Sequence, residues 1–183
     1  MAPAYKLISF NGGGAAERIR FLFKYGNIDF EDLQTPFGQL PVLEHNGKQI
    51  NQSVSIARYV AKQVKLAGKD DWENLEIDAI VNTLSDLRAR RKKKKALKET
   101  VLNETIPYYL TRLDAIVQKN KGHLALGRLT WVDLYFACSV PNYTSFVRND
   151  ILSKYPNLKT LQNKVYAISV IKSWIETCPK TEF

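Results

Sequence analysis

Residues Thr35 to Tyr59, TPFGQLPVLEHNGKQINQSVSIARY, constrain the fold more than any other stretch of this chain. Gln39-Leu40-Pro41 leads into the apolar pair Val42-Leu43, which reads as a strand. Pro41 has no N–H to give a ladder, so it belongs at the strand's start or in a tight turn. A cis peptide is cheap only before proline, so a cis bond at Pro41 would be a deliberate feature. Asn46-Gly47 predicts a two-residue hairpin turn, because both residues tolerate positive φ. Lys48-Gln49-Ile50 is then the return strand. Gln52-Ser53 stands immediately before the helical pattern Val54, Ile56, Ala57, Tyr59, Val60. A serine at that point is a natural N-cap, and the N–H groups of a helix start attract a carboxylate.

The flanking sequence completes one small αβ unit. Tyr5 to Phe10 is a β-rich run, and Gly12-Gly13-Gly14 breaks it. No Gly-Lys-Ser/Thr follows the glycines, so they are not a phosphate loop. Ala15 to Phe23 reads as a helix with Ile19, Leu22 and Phe23 on one face, and Asn27 to Glu31 as a second strand. With the hairpin and a helix from Ser53 to about Lys65, the order predicts a mixed sheet with helices on its faces.

Leu66 to Asp71 is the expected linker, and strand periodicity is absent beyond it. Asp71 to about Arg91 predicts one long helix with Leu75, Ile77, Ile80, Val81, Leu84 and Leu87 as its apolar stripe. Glu99 to Lys119 predicts a second, with Pro107 near its start. Thr130-Trp131-Val132-Asp133 is a capping box in its Thr-x-x-acid form, opening a helix over Leu134 to Val140. A last helix is expected from about Leu158 to Ile175. The domain reading is therefore 1–65, a linker at 66–71, and an all-helical 72–183.

Composition narrows the class. Hydrophobic residues make up 45% of the 183, enough for a real core. No apolar run approaches a membrane span, and MAPAYKLISFN has no apolar secretory core, so a cytoplasmic protein is expected. Cys138 and Cys178 make no disulfide framework and no metal-ligand spacing, and Cys138 is expected to be buried. His45 and His123 sit beside turn signals and read as surface residues. The net charge of +9 comes from one segment: Arg88 to Lys98 holds eight basic residues and no acid, and without it the chain carries +1. Such a block is ordinarily a solvated segment, and without interleaved aromatics it does not predict nucleic-acid binding. Attachment to an anionic surface through this run would show as strongly salt-dependent binding.

PFGQLPVLE followed by NQSxxIARY resembles the glutathione-binding half of a cytosolic glutathione transferase, most closely the sigma class of prostaglandin D synthase-like and insect enzymes. The resemblance covers the whole chain. It implies a thioredoxin-like N-terminal domain followed by a helical C-terminal domain, with the capping box opening the buried core helix. It implies that Gln39, Leu40 and Pro41 meet the cysteinyl part of glutathione, that Gln52 and Ser53 hold its γ-glutamyl end, and that Pro41 is the family's cis-proline. Asn82-Thr83-Leu84-Ser85-Asp86 resembles the acidic pattern at the family's dimer interface, so Asp86 is the acid expected to cross to a second chain's glutathione amine. A homodimer is expected, with glutathione as co-substrate, small apolar electrophiles as partners, and no metal. Isomerisation of prostaglandin H to prostaglandin D is an activity of some sigma relatives.

Three departures stand against the pattern. The family's thiol-activating tyrosine, in K-L-T-Y-F, is replaced by Ser9 in Lys6-Leu7-Ile8-Ser9-Phe10. A hydroxyl there must donate to the sulfur and favour thiolate, and serine has the donor on a shorter stem. Tyr5 is no substitute, four residues upstream and roughly 13 Å away along the strand. The arginine that usually follows strand one is Gly13. Two stretches are short: the loop between Asp32 and Thr35, which in the family carries a tryptophan and a lysine that contact glutathione, and the long helix at Arg91 to Lys98. A shortened variant and a chain with exposed loops left out remain the two readings. The competing functional expectation is a catalytically silent glutathione-binding or structural relative, as lens crystallins of this lineage are.

Overall fold

Leu7 and Ser9 alternate with less buried neighbours along the first strand, so one face of it is committed to the interior. The computed structural model describes residues 3–10, 14–35, 38–93, 98–147 and 149–178, without the side chains of residues 90–93 and 98. Gly12, Gly13, Pro36, Phe37, Pro179 and residues 94–97 of the basic run lie outside the described residues. Four strands, β1 (Tyr5–Ser9), β2 (Phe30–Gln34), β3 (Val42–His45) and β4 (Lys48–Asn51), form a sheet in the order β2-β1-β3-β4. β1 runs parallel to β2 and antiparallel to β3, and β3 runs antiparallel to β4. Asn46 and Gly47 both take positive φ, 51° and 73°, and close the β3–β4 hairpin as expected.

Helix α1 (Glu17–Tyr25) buries Ile19, Leu22 and Phe23, and also Arg18, Arg20 and Phe21. It is covered on several sides because helix α2 (Ser53–Gln63) and the C-terminal helix α8 (Ser169–Thr177) both pack against it. β2 begins at Phe30 rather than Asn27. Asn27 is left-handed, φ 49°, and the N–H groups of Gly26, Asn27 and Ile28 return to Leu22, Lys24 and Phe23, so these residues close α1. Ser53 is not the N-cap of α2 as expected: the chain turns at Gln52, and Ser53 already lies in the first helical turn. Together these elements form the thioredoxin-like arrangement expected from the sequence.

The helical unit starts with α3 (Asp71–Lys93), whose first turn is capped by Asp70 Oδ1 accepting from Glu73 N–H at 2.8 Å. Ile77, Val81, Leu84 and Leu87 are buried, but Leu75 is 56% exposed. At about 100° per residue, Leu75 lies roughly 200° from Ile77 and faces away from the stripe. The expected helix from Glu99 to Lys119 is a short α4 (Lys98–Thr100), a π-helical turn over Val101–Thr105, and α5 (Ile106–Lys119). Pro107 lacks an N–H and crowds the carbonyl four residues back, which accounts for the widened turn ahead of it.

Helix α6 (Trp131–Val147) starts earlier than expected and passes through Pro141. The box acid sits at its third position, so Thr130, not Asp133, marks the start. Cys138 is buried on this helix, as expected.

The expected final helix is two: α7 (Pro156–Tyr166) and α8, separated at Ile168, whose φ −63° and ψ 120° are extended. The chain divides into two compact units, one formed by residues up to Ala67 together with those from Tyr166 onward, the other by Gly68–Val165. The C-terminal helix α8 thus falls in the compact unit that holds the sheet. Ile171 is buried there, Trp174 Nε1–H donates to Glu17 Oε1 at 2.7 Å, and the Lys24 ammonium lies 4.8 Å over the Trp174 ring. No helix among the described residues is long and apolar enough to cross a membrane.

Candidate functional site

The sheet register brings the predicted binding residues to one edge. Ile8 pairs with Val42, and Val42 with Asn51. One position further on, Ser9, Pro41 and Gln52 therefore form the next row, at the C-terminal end of β1, the start of β3 and the end of β4. Neighbouring strands lie about 4.8 Å apart, so the row is roughly 10 Å wide. The Leu40–Pro41 peptide is cis, and Pro41 is buried. Gln39 Oε1 accepts from Asn51 Nδ2 at 3.1 Å, which ties the loop before Pro41 to the end of β4.

Gln52 takes φ 77° and ψ 97°, a strained conformation for a residue with a side chain. That turn drops the chain straight from β4 into α2. The first intrahelical bond is Ile56 N–H to Gln52 C=O at 3.0 Å, so the N–H groups of Ser53, Val54 and Ser55 head the helix at this same edge.

Ser9 sits at the other end of the row and is 2% exposed. Its side chain shares a strand face with Leu7 and points toward α1. The hydroxyl donates to Phe10 C=O at 3.1 Å, and its oxygen accepts from Arg20 Nη2 at 2.6 Å. Arg20 is itself clamped. Its Nε and Nη2 donate to Asp32 Oδ2 and Oδ1 at 2.7 and 3.1 Å, and its Nη1 to Glu17 Oε2 at 3.2 Å. Burial works against the guanidinium's charge, but the bonds to and charges of Asp32 and Glu17 outweigh it and hold its pKa above the ordinary value. Glu17 is fixed in turn by the Trp174 indole N–H.

This network was not foreseen from the sequence. The available signals were Glu17 and Arg20 at i,i+3 on a helix following the strand that ends in Ser9, and an arginine next to the apolar stripe. Asp32 and Trp174 are reached only through the fold.

Asp86 lies on α3 in the other unit and is exposed. Beside it, Ser85 Oγ donates to Val81 C=O at 2.9 Å and lies 3.1 Å from the Tyr135 hydroxyl. The histidines differ from the surface reading. His45 is half-buried, stacked on Tyr5 with 4.0 Å between centroids and 2.9 Å from the Tyr59 hydroxyl. His123 Nδ1 is buried 3.4 Å from Asp133 Oδ2. Tyr5, at the start of β1, also packs on Phe23 at the far end from Ser9.

Comparison with known proteins gives one answer across the chain. Residues 32–62 match the model of the glutathione S-transferase N-terminal domain, and residues 79–177 that of its C-terminal domain. A glutathione S-transferase of Anopheles gambiae is 40% identical over 203 aligned positions, covering 98% of this chain and 99% of the relative. Glutathione S-transferase S1 of Drosophila melanogaster is 42% identical over 98% of this chain and 80% of that protein. Since the mosquito alignment is longer than the 183 residues present, this chain lacks residues that its relative has within the matched span. Among solved structures, the prostaglandin synthase D of Nilaparvata lugens superposes with a TM-score of 0.91 at 40% identity, covering 98% of this chain and all of that one.

Proposed function

This chain belongs to the glutathione S-transferase family, and we propose that it binds glutathione along the Ser9–Pro41–Gln52 row and transfers its sulfur to small apolar electrophiles. The observation that carries the reading is the register, which lines up a hydroxyl, a strand start and a helix start over about 10 Å. An extended tripeptide has about that length. The γ-glutamyl carboxylate meets the N–H groups heading α2 beside Gln52 and Ser53. The cysteinyl backbone lies along Gln39, Leu40 and Pro41. The sulfur comes to the Ser9 hydroxyl.

The chemistry follows from that placement. The thiol proton leaves to solvent, and the Ser9 O–H turns from Phe10 C=O to the sulfur, stabilising the thiolate. The thiolate attacks the electrophile, a carbon–sulfur bond forms, and the leaving group departs with its electron pair. Asp86 of a second copy of the chain reaches the glutathione ammonium, which makes a homodimer part of the proposal, in the cytoplasm. The 40% identity to a protein named prostaglandin synthase D supports testing prostaglandin H isomerisation alongside conjugation.

One observation favours the silent relative instead: Ser9 is buried, and its hydroxyl has both a donor and an acceptor partner within the protein. Binding without turnover is its signature. Calorimetric titration with glutathione and with cysteinylglycine tests the row directly. We expect the dipeptide, lacking the γ-glutamyl carboxylate, to bind at least about tenfold more weakly, a loss of about 1.4 kcal/mol. Equal affinities would remove the role given to Gln52 and Ser53.

A further inference from the structure

We propose that Arg20 is a positioning residue for thiol activation, anchoring the Ser9 oxygen so that one rotation brings its proton to the glutathione sulfur. The inference rests on the reading of Ser9 as the thiol activator.

A serine hydroxyl is a free rotor with one proton and two lone pairs. In place of a tyrosine it loses the rigid ring that would aim its O–H. Arg20 supplies the missing constraint from the side. Nη2 occupies one lone pair of Ser9 Oγ at 2.6 Å and also lies 3.5 Å from Phe10 C=O. With that lone pair taken, the O–H has two staggered directions left, one of which it uses toward Phe10 C=O. Turning to the sulfur is then a single rotation about an anchored oxygen.

The anchor is itself rigid. Asp32 on β2 grips the guanidinium through Nε and Nη2, and Glu17 on α1 grips Nη1, itself held by Trp174 of α8. A fork with three bonded nitrogens cannot swing toward the ligand. The charged groups facing the hydroxyl's surroundings in this network are Arg20 and Glu17 from α1 and Asp32 from β2. The carboxylates of Asp32 and Glu17, both bonded to the guanidinium, offset its positive charge. Arg20 therefore acts by direction and by polarising the hydroxyl through a charge-assisted bond, not as a counter-ion to the thiolate. This also gives a physical role to an arginine buried in a helix, a placement charged residues otherwise rarely take.

The readout is the pKa of the enzyme-bound glutathione thiol, followed by ultraviolet thiolate absorption against pH, with glutathione affinity and the thermal midpoint recorded for each variant. The variants are Ser9→Ala, Arg20→Lys, Arg20→Gln and the double Ser9→Ala/Arg20→Lys. Arg20→Lys keeps a charge between Asp32 and Glu17, so it remains informative where Arg20→Gln fails to fold. A lysine cannot bridge Ser9, Asp32 and Glu17 at once, because it lacks the planar fork. The expected result is a bound-thiol pKa raised by about one unit in Arg20→Lys, a tenfold change in the ionisation constant, with affinity changed less than about twofold. In the double variant the shift should equal that of Ser9→Ala alone, because Arg20 works through Ser9. Ser9→Ala shifting the thiol while Arg20→Lys does not, or the two shifts adding, would overturn the role of Arg20 and leave Ser9 standing. No shift in Ser9→Ala would overturn the Ser9 reading, and the role of Arg20 with it.

Discussion

Replacing Asp133 by alanine removes the keystone of the helical unit. The carboxylate is fully buried, Oδ1 accepts from Leu124 N–H at 2.9 Å, and Oδ2 accepts from Thr130 N–H at 2.9 Å. Thr130 Oγ1 lies 3.5 Å from Oδ2 and His123 Nδ1 3.4 Å. Leu124 and Thr130 are both buried, so neither N–H has water to turn to. Each stranded donor costs about 1–3 kcal/mol, which gives about 4 kcal/mol for the pair. Removing a desolvated charge returns part of this, so the net expected loss is about 3 kcal/mol. For a chain of this size that is about a 10 °C drop in thermal midpoint. Asp133→Asn keeps one carbonyl oxygen and one of the two bonds, so it should fall between wild type and alanine. Urea unfolding followed by tryptophan fluorescence, with fully buried Trp131 beside the site, measures the series. A loss in the alanine variant below about 1 kcal/mol would refute the reasoning, since both N–H groups would then have found other partners.

Three further outcomes follow from the same geometry. Gln52→Gly should stabilise the fold by about 1 kcal/mol by releasing a non-glycine residue from φ 77°, while weakening glutathione binding through loss of the side chain; a thermal midpoint and a calorimetric titration report the two effects separately. Gly26→Ala should cost about 1–3 kcal/mol by denaturant unfolding, because its Cβ would overlap Val64 Cγ1 on a stiff β-branched side chain. Asp150 is held below the ordinary carboxylate range by its bond to Lys159 and then by the Leu152 N–H. Its folded pKa is depressed, so its contribution is present above the unfolded value and lost as pH falls through the folded one. Lys159→Met should move the Asp150 titration, read by NMR, up toward the ordinary value, at a stability cost under about 1 kcal/mol for so exposed a pair.

The hairpin was legible because its signals are local: Asn46-Gly47 sets the turn and Pro41 the strand start, with no help from distant residues. Domain type was legible from the change of periodicity after Asp71. What was not legible depends on neighbours. Nothing between Tyr166 and Ser169 resembles a helix break, since no glycine or proline stands there, and α8 is set apart by its packing against α1, with Trp174 bonded to Glu17. Leu75 reads as part of the stripe by its hydrophobicity, but the helical angle places it outside. Arg20 was invisible because a buried arginine is explained only by partners on two other elements, Asp32 on β2 and Ser9 on β1. The cap of α2 shifted from Ser53 to Gln52 because the sheet register, not the side chain, fixes where the chain turns.

The central claim is that Ser9 activates the thiol of glutathione bound along the sheet edge. Conjugation of glutathione to a generic aryl electrophile, wild type beside Ser9→Ala with glutathione affinity measured in both, tests it most directly. The account predicts that wild type turns over, that the alanine variant binds glutathione with similar affinity, and that its kcat/KM falls at least about tenfold, or 1.4 kcal/mol of transition-state stabilisation. Equal binding with no turnover in either protein, or undiminished turnover in the alanine variant, would contradict it.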